Sequence, residues 1–280
     1  MTTAPEPPES RYADVDGLKI HYREIGEGTP LIMLHGTGPG ASGWSNFRGT
    51  VPAFAGDYRV IVPDLPRYGK SSKIAIRGPR LTLLSGVMVK FMDAIGAQRA
   101  HFIGNSMGGQ VAMKLAIDHP DRVGRLVVIG SPPLKGSSLG PNPAEGIRMI
   151  EGYYKGNGPS LEKMAAIVRA LVYNQRFATD EVIAARYQDS VDPEVLAANE
   201  GPLWERENLE GQLEQLTAPI MLIWGQDDRF AQLDLALRMV RELPDARLLL
   251  FSQCGHWAQV EHAAEFNSAV RNFLTTGLRA

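Results

Sequence analysis

What most constrains this chain is a set of short, unbroken apolar runs. Residues 31–34, 60–62, 101–103, 126–129, 220–224 and 248–251 are rich in Val, Ile and Leu and do not alternate with polar positions. A strand with one wet face alternates. An unbroken run of strand length therefore predicts burial on both faces, the pattern of a parallel sheet covered by helices. Segments of helical period lie between the runs: Leu84, Val87, Met88, Phe91 and Ile95; Val111, Leu115 and Ala116; Leu235, Met239 and Val240. Strand and helix thus alternate, which makes the fold class α/β with a mostly parallel central sheet flanked by helices. The stretch 12–24 alternates instead around Asp16-Gly17 and predicts an antiparallel hairpin at the sheet edge.

The alternation fails after 126–129. From Pro132 to about Leu213 no strong strand pattern occurs, and four helical patterns take its place. The clearest is Leu161, Met164, Ala165, Ile167, Val168, Leu171 and Val172; Thr179 then offers an N-cap before Asp180 and Glu181. Residues 131–143 are rich in Gly, Pro and Ser and read as a hinge. The expected organisation is a first core segment (1–133), a helical lid (134–213) and a second core segment (214–280). At 280 residues and 44% hydrophobic, the chain can bury a large core. Its net charge of −2 leaves no basic field for a phosphate backbone, so nucleic acid is not an expected partner. The first ten residues carry Glu and Pro where a signal peptide needs basic and then apolar residues. Every apolar run falls far short of the roughly 20 residues that span a bilayer. The lone Cys254 fits a reducing compartment, so a cytoplasmic protein without a membrane partner is expected.

Gly104-Asn105-Ser106-Met107-Gly108 fits G-x-S-x-G, with a strand pattern before it and a helix pattern after it. That context makes Ser106 a candidate nucleophile on a tight strand-to-helix turn. A hydroxyl needs a base to take its proton and a third group to orient the base. His256 stands just past the run 248–251, and Asp227 and Asp228 stand just past the run 220–224. Either aspartate satisfies the order Ser, Asp, His. Of the other histidines, His35 reads as structural, and His21, His101, His119 and His262 as surface or packing residues. The backbone amide of Met107, at the start of the helix, and one from the glycine loop at 35–40 are expected to hold an oxyanion. That loop has neither the Lys-Ser/Thr of a P-loop nor the G-x-G-x-x-G spacing. No metal-ligand spacing occurs, so no cofactor and no metal are expected.

Leu34-His35-Gly36-Thr37-Gly38-Pro39-Gly40-Ala41, Gly43-Trp44-Ser45-Asn46, Gly104 to Gly109, Trp224-Gly225-Gln226-Asp227-Asp228-Arg229 and Cys254-Gly255-His256-Trp257 together resemble the meta-cleavage product hydrolases. These are carbon–carbon bond hydrolases of the α/β-hydrolase superfamily that act on 2-hydroxy-6-oxo-hexa-2,4-dienoates. The resemblance implies an α/β-hydrolase fold with a helical lid, a dienoate as small-molecule substrate, and a homodimer or higher homo-oligomer. Carried over by position, it implies Ser106, Asp228 and His256 as the triad and the amides of Thr37 and Met107 as the oxyanion hole. Gly38, Asn46, Asn105, Arg186 and Trp257 are implied to bind substrate. Arg186 sits beside Ile183 on an expected lid helix, where its fork could grip a carboxylate. The chain departs from the family pattern at Thr37, where glycine is usual, and in Pro66-Arg67-Tyr68-Gly69, where Pro-Gly-x-Gly is usual. It departs again at Asn174 and Arg176, where aspartate and serine are common, and Arg176 is expected near the substrate. An ester or lactone hydrolase using the same triad is the alternative. A binding receptor that keeps the fold without turnover is a third reading. Epoxide hydrolases and dehalogenases use aspartate where Ser106 stands.

Overall fold

The computed structural model describes residues 7–199, 205 and 207–275. Eight strands form one sheet: β1 Arg11–Val15, β2 Leu18–Ile25, β3 Pro30–Leu34, β4 Arg59–Pro63, β5 Ala100–Asn105, β6 Val123–Ile129, β7 Ile220–Gly225 and β8 Ala246–Phe251. Their order is β1-β2-β4-β3-β5-β6-β7-β8. β2 runs antiparallel to both β1 and β4, and the other pairs are parallel. The hairpin β1–β2 turns at Asp16 (φ 52) and Gly17 (φ 83), the two left-handed residues of a type I′ turn. Asp14 Oδ1 accepts the Gly17 N–H at 3.0 Å and fixes that turn.

Successive residues of the central strands enter two different cores, which is why their runs are unbroken. Ile32, Leu34, Phe102, Val128, Leu222 and Trp224 share one core with side chains of the helices Arg80–Ala94, Met107–Asp118 and Leu233–Glu242. Leu31, Met33, Ile103, Val127, Ile129 and Ile223 share the other with residues of the helix Ala263–Thr275. β8 departs from the expected two-sided burial: Leu248, Leu249 and Phe251 are half-buried and Leu250 is 42% exposed. It is the last strand of the sheet, with a neighbour on one side only.

Between β6 and β7 lie the helices Glu145–Gly152, Leu161–Leu171, Asp180–Ser190 and Pro193–Ala198. The hinge segment 131–143 has no regular structure. Ser160 caps the second helix through Lys163 N (3.2 Å) and Thr179 the third through Val182 N (3.3 Å). Met164, Ile167, Val168, Leu171 and Ile183 form a third apolar cluster, into which Phe230 and Trp257 reach from the loops after β7 and β8. These helices therefore bury their apolar faces over the C-terminal ends of the parallel strands, where α/β sheets place their ligands.

Candidate active site

Ser106 is the single residue between β5 and the helix Met107–Asp118, and its backbone sits at φ 54, ψ −120. A non-glycine residue there is strained, and the turn holds it because the surrounding glycines let strand and helix close up. A Cβ on Gly108 would lie 2.0 Å from the Leu34 carbonyl oxygen.

Asp228, not Asp227, reaches the imidazole. Its Oδ2 accepts from His256 Nδ1 at 2.7 Å, and its Oδ1 accepts the amides of Phe230 (2.7 Å) and Ala231 (3.0 Å). Both side chains of the pair are buried, whereas Asp227 is exposed. With the proton fixed on Nδ1, Nε2 carries the lone pair that a general base needs. The Phe230 ring stacks on the imidazole at 5.0 Å between centroids. Room for the pair comes from Gly130 (φ 53), where a Cβ would lie 2.7 Å from His256 Nδ1 and 2.8 Å from Asp228 Oδ2. Ser106 and His256 line one cleft without a direct hydrogen bond among the described residues. Bonds between a nucleophile and its base are commonly long at rest and tighten in the Michaelis complex.

Met107 opens its helix, so its N–H lies outside the helical ladder. The Thr37 amide donates to no acceptor among the described residues; its hydroxyl bonds Tyr68 Oη at 2.7 Å. Both donors are thus available for an oxyanion. Asn46 Oδ1 accepts the Gly36 N–H at 3.0 Å, while its buried Nδ2 has no protein partner. Asn105 Nδ2 is engaged by the carbonyls of Ile129 (3.1 Å) and His256 (3.3 Å), which leaves its Oδ1 as the group that can meet a ligand.

Arg186 is 6% exposed on the lid helix Asp180–Ser190. Its Nη2 donates to the Pro39 carbonyl at 2.9 Å, its Cζ lies 5.6 Å from the centre of the Trp257 ring, and its buried Nε has no partner. Desolvation pushes its pKa down to about 10, so it is still a cation at neutral pH. Asp189 on the same helix attracts it, yet no carboxylate touches the guanidinium among the described residues. A buried cation with no carboxylate in contact is a costly arrangement whose natural complement is an anionic ligand.

A model of the alpha/beta hydrolase fold matches residues 29–263. A 2-hydroxy-6-oxononadienedioate/2-hydroxy-6-oxononatrienedioate hydrolase of Pseudomonas sp is 42% identical over 98% of this chain and 99% of its own length. A 2-hydroxy-6-oxo-6-phenylhexa-2,4-dienoate hydrolase of Burkholderia cepacia is 37% identical over 99% of this chain and 100% of its own. The chain belongs to the meta-cleavage product hydrolases of the α/β-hydrolase fold. In line with this, the solved structure of a meta-cleavage product hydrolase from Pseudomonas fluorescens IP01 superposes with a TM-score of 0.84 at 28% identity, covering 94% of this chain and 97% of that one.

One cleft brings together Thr37, Gly38, Asn46, Asn105, Ser106, Arg186, His256 and Trp257, with Asp228 behind His256. Arg176 does not join them. It is exposed on the 3₁₀ turn Gln175–Phe177, its guanidinium 4.6 Å from the centre of the Phe177 ring, and Asn174 caps that turn through Arg176 N at 3.2 Å. The expected substrate contact is thereby corrected: the turn leaves Arg176 on the outer surface. At the other departure, Arg67 holds φ 81, a backbone that explains why glycine is usual there. The sequence reading missed Ile150, Ile167, Leu171 and Phe230, which also line the cleft. Phe230 carried a signal, two positions beyond Asp228; the three lid residues looked like any inward apolar face.

Residue types alone would not have found the site. Ser10 Oγ, His21 and Asp64 form a second chain, with Ser10 Oγ to His21 Nε2 at 3.0 Å and His21 Nδ1 to Asp64 Oδ2 at 2.8 Å. Asp64 also accepts the amides of Gly43 and Lys70, so this set ties β2 to the loops around it. It has no strained elbow and lies outside the cleft. Cys254 is buried too, and burial raises its thiol pKa, which keeps it protonated and inert. No cluster that could hold a metal ion occurs among the described residues, and no helix among them is long and apolar enough to cross a membrane.

Proposed function

We propose that the chain hydrolyses the C5–C6 bond of a 2-hydroxy-6-oxo-hexa-2,4-dienoate, giving 2-hydroxypenta-2,4-dienoate and a carboxylic acid. The observation that carries this reading is the buried Arg186, with its Nε unpartnered and no carboxylate in contact, in the same cleft as Ser106 and His256. A plain ester needs no such anchor. A carbon leaving group does, because it departs only when its electrons have somewhere to go.

With the substrate carboxylate on Arg186, His256 assists transfer of the 2-hydroxyl proton to C5. The 2-keto tautomer so formed has a carbonyl in conjugation with the bond to be broken. Ser106 Oγ, or a water deprotonated by His256 Nε2, then adds to C6, and the amides of Thr37 and Met107 hold the oxyanion. Collapse breaks C5–C6. Its electron pair runs into the 2-keto group, which takes a proton and leaves as the dienol. Asp228 steadies the imidazolium throughout. If Ser106 was acylated, water releases the acid by the same route in reverse. The same reading places the enzyme in the cytoplasm as a homo-oligomer. The single cysteine supports the compartment, and the apolar side chains of Leu237 and Leu250, exposed on β8 and the helix beside it, support the assembly.

The test is spectrophotometric. The protein should bleach a coloured 6-oxo-dienoate with a kcat/KM far above its value for p-nitrophenyl esters, and Ser106→Ala should cut that turnover by about 10³-fold or more. Efficient ester or lactone hydrolysis with no bleaching would refute it.

A further inference from the structure

Arg186 is one cation, and the reading above commits it to one carboxylate. Among the described residues, no lysine and no second arginine lines the cleft. Beyond the polar groups already described, the cleft wall next to His256 is apolar. Phe230 stacks on His256, and the carbonyl of Leu171 accepts the His256 backbone N–H at 2.8 Å, which brings that end of the helix Leu161–Leu171 to the base. Ile167 lies one turn earlier on the same face and lines the cleft with it. Arg186 sits elsewhere, against Pro39 and the Trp257 ring. A substrate anchored at Arg186 and reacting at Ser106 therefore projects its 6-substituent along the wall of Ile167, Leu171 and Phe230.

From this geometry we infer that the enzyme selects monocarboxylate dienoates with an apolar 6-substituent and discriminates against substrates that carry a second carboxylate there. The inference rests on the reading of the site given above. Each of the three wall residues is nine-tenths or more buried, and none offers a donor. A carboxylate placed there would lose its water and gain no partner, which is costly to binding and to the transition state alike. An aryl or alkyl group would gain from the same desolvation.

The experiment compares two dienoates of equal heavy-atom count, one with a 6-(3-methylbutyl) and one with a 6-(2-carboxyethyl) substituent. Size is matched, so the ratio of kcat/KM reads the charge. A preference of about 100-fold or more for the alkyl substrate is expected. That ratio should narrow as pH falls toward the carboxylate range of about 4.3, where the second acid becomes neutral. A carboxyethyl substrate turned over as well as the alkyl one, or better, would overturn the inference and leave the proposed reaction standing. Turnover of neither would remove the reaction itself, and the inference with it.

Discussion

Replacing Arg186 with methionine should leave the protein about as stable and nearly inactive on dienoates. Burial holds the guanidinium near 10 against an ordinary 12.5, which corresponds to about 3 kcal/mol against the charged form in the folded state at neutral pH. Methionine fills similar volume without that cost. It gives up the charge-assisted bond from Nη2 to the Pro39 carbonyl, worth about 1.5–3 kcal/mol, and the contact with the Trp257 ring, worth about 1 kcal/mol. These terms cancel to within about 1 kcal/mol, so Tm should move by no more than about 2–4 °C. Activity takes the loss. Losing two charge-assisted bonds to a substrate carboxylate removes about 3–5 kcal/mol, or about 10²–10⁴-fold in kcat/KM. Thermal unfolding by circular dichroism and dienoate kinetics, with p-nitrophenyl acetate as the reference reaction, read the two effects separately. A Tm several degrees lower would show that Arg186 is compensated in the free enzyme. Equal losses on dienoate and ester would show that it does not grip the carboxylate.

Two further outcomes follow from geometry. Gly130→Ala puts a methyl 2.7 Å from His256 Nδ1 on a backbone of φ 53, so the imidazole–carboxylate pair must shift. The expectation is a loss of about 10²-fold in kcat with about 1–2 kcal/mol of destabilisation, and kcat within twofold of the parent would refute it. His101 is held down to about 4 by desolvation and then by the charges of Arg125 and Arg99, while its Nδ1 accepts the Arg125 N–H at 3.0 Å. The unfolded chain takes up that proton near 6.5 and the folded one only near 4, so its contribution is complete above 6.5 and lost as pH falls between those values. The loss is at most about 3 kcal/mol, reduced by screening at this partly buried ring. Urea unfolding at several pH values should show a shallower acid limb for His101→Gln, and an unchanged slope would count against it.

The sheet was legible because burial on both faces leaves a mark in composition that no loop or amphipathic helix imitates. The turn at Ser106 and the Asp228–His256 pair were legible for a related reason, since each of the three residues stands just past a recognisable strand. β8 misled, because Leu248 to Phe251 are as apolar as a central strand yet have a neighbour on one side only. Other features depend on relations that one chain segment does not carry. Asp227 and Asp228 are adjacent and identical, and only the path of the loop turns one inward. The helix Asp180–Ser190 is mostly polar; Ile183 one turn earlier pointed to an inward Arg186, but not to its packing against Pro39 and Trp257. Ile167 and Leu171 have the period of an inward face, but that period does not say which part of the face covers lid core and which covers the serine.

The lid is more than a cover, because it is fastened to the base. Besides the bond from the His256 amide to the Leu171 carbonyl, Glu261 accepts the Gly255 N–H through Oε1 and the Asn174 N–H through Oε2, both at 2.7 Å. One carboxylate thus clamps the loop that carries His256 to the turn that follows the lid helix Leu161–Leu171. Trp257, the neighbour of His256, meanwhile lies under the guanidinium of Arg186 from the next lid helix. His256, the apolar wall and Arg186 are therefore held by one connected set of contacts. Such coupling suits a reaction in which one imidazole must serve first the dienol and then the C6 carbonyl while the substrate stays fixed at its far end.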